Sequence, residues 1–267
     1  MSMGLTIKKL SKVFSPGSTN ERLALNDINL TLADGEFLTV IGGNGAGKST
    51  LLNCISGIHY VSSGSVVLDG VDITFWPEHK RSVLIGRVFQ DPLLGTAFDM
   101  TIEENLAIAW AKGKSHGLQL GIKANDSKYF RHMLAKLELG LEDRLQEKVG
   151  LLSGGQRQAL TLLMATLIKP RLLLLDEHTA ALDPTIAATV MRLTKEFITE
   201  QGLCAIMITH NMRAALNYGT RTIMMHEGRI VLNLTDPERQ NLTVENLMEK
   251  FYENSGTVLD NDRLLLG

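Results

Sequence analysis

The sequence predicts an α/β fold with an N-terminal antiparallel β layer and a helical subdomain, on the strength of three observations. A short apolar stretch, "FLTVIG", leads into the glycine-rich loop "GGNGAGKST" and then into a helix-forming stretch. After residue 153, strand and helix patterns alternate, and runs such as "RLLLLD" are typical of parallel strands buried on both faces. Between these two parts the strand patterns stop, and apolar residues recur at helical spacing.

The N-terminal part of the chain contains the strand patterns of the β layer. Strands are expected at 5–14 and 22–32, separated by the polar loop "SPGSTN". Two more are expected in "GSVVLDG" and "VLIGRVFQ". The helix after the glycine-rich loop should stop at Gly57, because glycine readily adopts the left-handed conformation that ends helices.

The rest of the chain is predicted to be helical at first and then alternating. Two helices are expected between Asp91 and Gly150, and Thr101 and Glu104 have the spacing of a capping box that opens the first. Later elements are expected as helices at 154–168, 184–200 and 211–218, strands in "RLLLLD", "LCAIMIT", "RTIMMHEG" and "RIVLNL", and a short helix in "TVENLMEKFY" before a polar tail.

Composition excludes several classes of protein. The 267 residues are 44% hydrophobic, enough for one large domain with a buried core. The net charge of -2 gives no general attraction for nucleic acid, so no nucleic-acid partner is expected. Apolar stretches are shorter than the ~20 residues that span a bilayer, and the first residues lack the apolar region of a secretory signal. Cys54 and Cys204 lie in apolar contexts and are expected to be buried, reduced thiols.

The glycine-rich loop fits the phosphate-binding pattern G-x-x-x-x-G-K-[ST] in full. In this pattern backbone N–H groups surround phosphate oxygens, Lys48 reaches the β and γ phosphates, and the Ser49 hydroxyl binds Mg²⁺. A nucleoside triphosphate and Mg²⁺ are therefore the expected ligands. The predicted nucleotide-binding residues of the loop are Gly42, Gly43, Asn44, Gly45, Ala46, Gly47, Lys48, Ser49 and Thr50.

Two acidic residues end the apolar strand "RLLLLD". Asp176 emerges at the carboxyl end of this strand, where α/β sheets bind ligands, and is predicted to hold the metal. Glu177 follows at once and is predicted to polarise the attacking water. The pair supplies what phosphoryl transfer needs besides a phosphate cradle.

A second glycine pair occurs in "LSGGQRQ". Ser153 and Gln156 form a capping box, and the start of the helix that follows has unpaired N–H groups and the positive end of the helix dipole. Gly154 and Gly155 lack side chains, so a phosphate could approach this backbone closely. The predicted function of this second anion site is to close over the nucleotide bound by another copy of the chain.

Together, "GGNGAGKST", "LSGGQ" and "LLLLDE" resemble the ATP-binding subunit of ABC transporters, over about residues 5 to 235. The resemblance implies a RecA-like core, an ATP-dependent homodimer and hydrolysis that powers transport through separate membrane permease subunits. It also implies an extracytoplasmic substrate-binding protein, and a location on the cytoplasmic face of the membrane. The implied domains are 1–90, β layer and phosphate loop; 91–155, helical subdomain; 156–240, rest of the core; and 241–267, C-terminal helix and tail.

The resemblance also assigns functions to residues outside these motifs. It implies that Phe14 stacks on adenine, although one aromatic residue could equally belong to the core. Gln90 corresponds to a glutamine that touches Mg²⁺ and the attacking water, and His210 to a histidine that contacts the γ phosphate. Asp183 corresponds to the acidic residue of the loop at the dimer interface, and it is also a good N-cap before Pro184.

One position departs from the family pattern. His178 follows Glu177 where most relatives have proline, so the φ angle there is not fixed by a ring. With "GTAFDMTIEENLAIA", the stretch "DEHTAALDP" is similar to ATPases of bacterial uptake systems for amino acids. Import is therefore the expected direction of transport.

Three functions remain open from the sequence. The first is a transport ATPase, whose permease would be received near Gln90 by the apolar stretch that contains Leu93, Leu94, Phe98 and Met100. The second is an ATPase of a non-transport assembly system such as iron-sulphur cluster biogenesis. The third is a nucleotide-binding module without turnover. ATPases of DNA repair or translation are disfavoured, because the chain has no coiled-coil insertion and one nucleotide domain.

Overall fold

The computed structural model describes residues 4–113 and 122–255. The strands in these ranges are β1 (Leu5–Phe14), β2 (Arg22–Leu32), β3 (Phe37–Gly42), β4 (Ser63–Leu68), β5 (Val71–Asp72), β6 (Ile85–Val88), β7 (Leu172–Asp176), β8 (Cys204–Ile208), β9 (Arg221–His226) and β10 (Arg229–Thr235). The helices are α1 (Lys48–Ser56), α2 (Glu78–Arg81), α3 (Ile102–Trp110), α4 (Ala124–Ala135), α5 (Gly154–Thr166), α6 (Pro184–Gln201), α7 (Met212–Tyr218) and α8 (Val244–Ser255). The polar tail expected after the last helix lies outside the described residues from position 256 onward.

Two sheets form the α/β fold that the sequence predicts. The antiparallel sheet has the order β2-β1-β4-β5, and the larger sheet has the order β10-β9-β3-β8-β7-β6. Within the larger sheet, β6, β7, β8, β3 and β9 are parallel, whereas β10 runs antiparallel to β9. Parallel strands end at the same edge, so the chain segments after β3, β6, β7 and β8 lie together.

The larger sheet is covered on both faces. Leu172 and Leu174 of β7 belong to the core that packs against the antiparallel sheet and α1, while Leu173 and Leu175 belong to the core on the opposite face. Alternation along a strand places successive side chains on opposite faces, so each face of β7 is apolar. The continuous run of leucines is thereby explained, and the prediction of a doubly buried strand is confirmed.

Local sequence signals set most helix ends. Thr101 and Glu104 form the expected capping box of α3, and Asp183 caps α6 by accepting from the N–H groups of Thr185 and Ile186. Gly57 ends α1 in the left-handed conformation, as predicted. Two short elements, β5 and α2, were not predicted, because two to four residues are too few for a periodic pattern.

No helix in the described ranges is both long and apolar enough to cross a membrane.

The two cysteines are buried free thiols, as predicted. Burial raises the pKa of Cys54 to about 11 and that of Cys204 to about 12. Both thiols are therefore protonated at neutral pH, which makes them poor nucleophiles.

Arg81 is a fully buried cation that holds the end of the phosphate-loop helix α1. Its guanidinium donates to the carbonyls of Cys54 at 2.7 Å and Ile55 at 2.8 Å, in the last turn of α1. It also donates to the carbonyls of Thr74 at 2.7 Å and Trp76 at 2.9 Å. The charge therefore meets the negative end of the helix dipole, and α1 is fixed to the loop before α2.

We predict that Arg81→Met lowers the free energy of unfolding by about 3 kcal/mol, because the methionine fills the site but leaves buried carbonyls without donors. Urea unfolding followed by circular dichroism measures the change. Lys80→Met, at the exposed neighbouring position, is the control and should shift stability by less than ~0.5 kcal/mol. Equal urea midpoints for Arg81→Met and the parent would contradict this account.

Candidate active site

The glycine loop joins β3 to α1 and exposes an uncapped helix start. Gly42 has φ 151° and Gly47 has φ 99°; an added Cβ would lie 2.3 Å from the Met225 carbonyl oxygen at the first and 2.7 Å from the Ala24 carbonyl oxygen at the second. Only glycine fits these two positions. The N-cap of α1 is Gly47 and provides no side-chain acceptor, so the first N–H groups of the helix remain available to an anion.

Lys48 lies folded within this loop. Its side chain is buried, and Nζ donates to the carbonyls of Gly42 at 2.8 Å and Gly43 at 3.0 Å. Burial lowers the pKa of Lys48, against the opposing influence of Glu177 and Asp176. The ammonium group is thus held next to the N–H groups of the loop, where a phosphate oxygen can replace its carbonyl partners.

The parallel sheet brings together the predicted catalytic residues from three strand ends. Glu177 directly follows β7, and His210 lies two residues beyond β8. The Glu177 Oε1 and His210 Nε2 atoms are 2.6 Å apart. Gln90 lies two residues beyond β6 at the same edge and is exposed. Glu177 has φ 47°, and its N–H donates to the Ile208 carbonyl of the adjacent strand at 3.1 Å.

Electrostatics keeps the Glu177 carboxylate ionised. Burial tends to raise the pKa of Glu177, but the hydrogen bond and attraction from His210, with a contribution from Lys48, outweigh burial and bring the pKa below its ordinary value. Burial raises the pKa of Asp176, although Arg87 opposes this shift. An ionised carboxylate beside a histidine is suited to polarising a water molecule.

Arg87 is a part of the site that the sequence did not predict. From β6, its Nη2 donates to Asp176 Oδ2 at 3.3 Å and to Asn53 Oδ1 of α1 at 2.8 Å. The guanidinium also lies over the Phe89 ring, 4.6 Å from its centroid. Arg87 therefore links Asp176 to the helix of the glycine loop. The available signal was a basic residue, Arg87, among the apolar residues of the strand stretch "VLIGRVFQ".

The residues present fit a Mg²⁺ ion. Asp176 has one carboxylate oxygen bonded to Arg87 and is otherwise free of side-chain donors among the described residues, and Ser49 has an exposed hydroxyl. Mg²⁺ prefers oxygen ligands and commonly binds through one or two carboxylates together with substrate phosphates. In the described ranges no three His, Cys, Asp or Glu side chains cluster as a metal site.

Phe14 lies at the end of β1 and is half-buried rather than part of the core. Its ring meets the His59 ring edge to face at 5.2 Å, and Lys12 Nζ lies 5.0 Å from its centroid. Its partner in β2 is Arg22, whose Nη2 would be 3.5 Å from a Cβ at Gly45. This end of the hairpin therefore borders the glycine loop.

The second glycine pair opens α5 as predicted. Ser153 Oγ accepts from the Gln156 N–H at 3.3 Å, and Gln156 Oε1 accepts from the Ser153 N–H at 3.2 Å. Gly154 is exposed, but Gly155 is buried, and an added Cβ there would lie 2.0 Å from Ile186 Cγ2 of α6. Packing against α6 within the same chain therefore requires glycine at position 155, a reason that the sequence did not predict. No hydrogen bond joins this turn to the glycine loop within the described part of the chain.

Comparisons with known proteins agree with these features. The family described as ABC transporter matches residues 25–180, more than half of the chain. A tyrosine transport ATP-binding protein of Clostridioides difficile is 46% identical over 247 residues, which are 92% of this chain and 98% of that protein. A methionine import ATP-binding protein of Rhizobium johnstonii is 37% identical over 211 residues, which are 78% of this chain and 56% of that longer protein. A spermidine/putrescine import ATP-binding protein of Haemophilus ducreyi is 34% identical, covering 91% of this chain and 63% of its own length.

Solved structures have the same fold. A dimeric post-hydrolysis structure of the ATP-binding cassette MJ0796, bound to ADP and Pi, matches with a TM-score of 0.74 at 27% identity and covers 86% of this chain and 98% of its own. The cbiO1 protein of Clostridium perfringens, part of an ABC transporter complex, matches with a TM-score of 0.75 at 26% identity, covering 96% and 97% of the two chains. None of these matches favours the iron-sulphur alternative. The chain belongs to the ABC transporter family, as an ATP-binding subunit whose ATP hydrolysis is coupled to transport.

Proposed function

We propose that Glu177 is the general base of ATP hydrolysis in this subunit and that His210 orients it. The observation that carries the proposal is the 2.6 Å contact between Glu177 Oε1 and His210 Nε2, at the sheet edge where the glycine loop begins. Glu177 takes a proton from water, whose oxygen bonds to the γ phosphorus while the bond from that phosphorus to the bridging oxygen of ADP breaks. The products are ADP and phosphate.

The remaining site residues bind and position the nucleotide. The loop from Gly42 to Thr50 surrounds the phosphates, Lys48 exchanges its carbonyl partners for phosphate oxygens, and Phe14 stacks on adenine. Ser49, Gln90 and Asp176 would hold Mg²⁺, which neutralises charge on the β and γ phosphates. The Arg87 contact to Asp176 supports this part of the proposal, because it fixes a metal-binding carboxylate.

Two copies of the chain close on two ATP molecules. Ser153, Gly154, Gly155 and Gln156 of one copy face the γ phosphate bound by the other, and Asp183 lies at the same interface. The exposed, capped start of α5 supports this arrangement, because its first turn can receive an anion from outside the chain. The proposal keeps the domain boundaries at 90, 155 and 240; the second falls within the first turn of α5.

The transport system is proposed to import an amino acid, tyrosine being the first candidate because of the 46% identical relative. Its other members are integral membrane permease subunits and an extracytoplasmic substrate-binding protein. The subunit sits on the cytoplasmic face of the membrane. Leu94, Leu93 and Phe98 are exposed apolar residues near Gln90 and form the proposed permease contact, with Met100 beside them.

We expect Glu177→Gln to lower the rate of ATP hydrolysis at least ~100-fold and to trap an ATP-bound dimer, because the phosphate cradle survives while water activation is lost. Gel filtration with Mg–ATP measures the dimer, and phosphate release measures turnover. Lys48→Ala is the comparison variant and should instead lose ATP affinity. Parental turnover in Glu177→Gln would refute the assignment of the base, and parental ATP affinity in Lys48→Ala would refute the cradle.

The two glycines of α5 should respond differently to alanine. Gly155→Ala should destabilise the fold by about 1–3 kcal/mol, because Ile186 Cγ2 would be 2.0 Å from the new methyl group. At Gly154 the methyl group would lie 3.6 Å from Leu182 Cδ2, an ordinary contact, so stability should hold. Gly154→Ala should nevertheless reduce ATP hydrolysis about 10-fold by obstructing the partner's nucleotide. Thermal unfolding and phosphate release separate the effects; full activity in a stable Gly154→Ala protein would argue against the dimer site.

The partner proposal predicts copurification with a protein that has several membrane spans. Leu94→Asp should abolish this association while ATP binding remains, because a charge enters an apolar contact. Phe75→Asp is the matched control, an exposed apolar position in another segment, and should retain the partner. Association with soluble scaffold proteins alone would reject a transport system.

A further inference from the structure

His178 follows Glu177 and is fully enclosed in the protein, although nothing in the proposed reaction uses it. The ring is 2% exposed, and its Nε2 lies 3.0 Å from the Thr194 hydroxyl on α6, which is also buried. The same hydroxyl lies 2.8 Å from the Val190 carbonyl oxygen. The three groups form a chain of hydrogen bonds from the end of β7 into the third turn of α6.

The Thr194 hydroxyl has one hydrogen to donate. With a proton on His178 Nε2 it donates to the Val190 carbonyl and accepts from the ring; with the other tautomer it donates to Nε2. In both cases the hydroxyl joins the His178 ring to α6. A buried, hydrogen-bonded ring is suited to a fixed structural contact in the core.

The residue before His178 needs such a contact. Glu177 has φ 47°, a left-handed conformation that is uncommon for a residue with a side chain and that persists only where neighbouring structure enforces it. Its N–H is held by the Ile208 carbonyl at 3.1 Å, and its own carbonyl accepts from Ala180 at 2.9 Å. His178 adds a side-chain anchor immediately after the strained residue.

We propose that His178 is a positioning residue, which fixes the Glu177 backbone to α6 through its hydrogen bond with Thr194. The proposal rests on the function proposed for Glu177. Because α6 also packs Ile186 against Gly155 and carries Asp183 as its N-cap, the same bond sets the base relative to the start of α5. Loss of the bond leaves ATP binding intact and misplaces the carboxylate that polarises the water.

The test compares Thr194→Val with Thr194→Ser in the full-length chain. Thr194→Val keeps the side-chain shape without the hydroxyl, and we expect about a 10-fold lower kcat per bound nucleotide with KM for ATP unchanged. Thr194→Ser keeps the hydroxyl and should retain most of the parental kcat. His178→Phe should match Thr194→Val, and the double variant should lose no more than either alone, because both remove one bond. Thr189→Val, on the same helix and away from His178, is the control.

Several results would contradict a positioning role for His178. Parental kcat in folded Thr194→Val, or equal losses in the valine and serine variants, would overturn the proposal. If His178→Phe does not fold, the valine and serine pair decides. A rise in KM with unchanged kcat would also count against positioning. The Glu177→Gln variant tests the proposed base separately. If Glu177→Gln keeps parental turnover, the proposed function is wrong. If Glu177→Gln abolishes turnover but Thr194→Val does not lower kcat, only the positioning role of His178 is wrong.

Discussion

The parallel pairing of β3, β8, β7 and β6 is the constraint on which the site depends. In this register Leu175 of β7 pairs with Met207 of β8 and with Val88 of β6. The segments that follow the carboxyl ends of these three strands therefore lie at one edge of the sheet. Lys48, Glu177 and His210 are far apart in the sequence and become neighbours only through this pairing. Apolar cores cover both faces of the sheet and exclude water from these strands, which stabilises their pairing.

Much of the fold and part of the site could be predicted because their causes are local. The capping boxes at Thr101 and Ser153, the left-handed Gly57 and the glycine loop are each specified by residues a few positions apart. The contact of Arg87 with Asp176 spans 89 positions, and it depends on the order of strands in the sheet. Gly155 against Ile186 depends likewise on how two helices pack. No local pattern contains that information, which explains why neither the Arg87 contact nor the packing of Gly155 against Ile186 could be predicted.

Buried charge at the sheet edge is balanced by groups from different elements. Arg87 and Lys48 face Asp176 and Glu177, so each buried cation has a carboxylate in its surroundings. The lowered pKa of Glu177 and the raised pKa of Asp176 show that neighbouring carboxylates have distinct environments. Such a separation is typical of sites in which one carboxylate must stay ionised beside another. At the carboxyl end of α1, the buried Arg81 guanidinium is instead balanced by helix carbonyls, to which it donates hydrogen bonds.

The close fit between Gly155 and Ile186 also limits how this surface can change over evolutionary time. A larger side chain at position 155 requires a smaller one at position 186, whereas position 186 can become smaller alone. In descendants of this protein, a change at Gly155 therefore depends on an earlier or simultaneous change in α6. The packing of the two helices thus restricts the order in which mutations at these positions can accumulate.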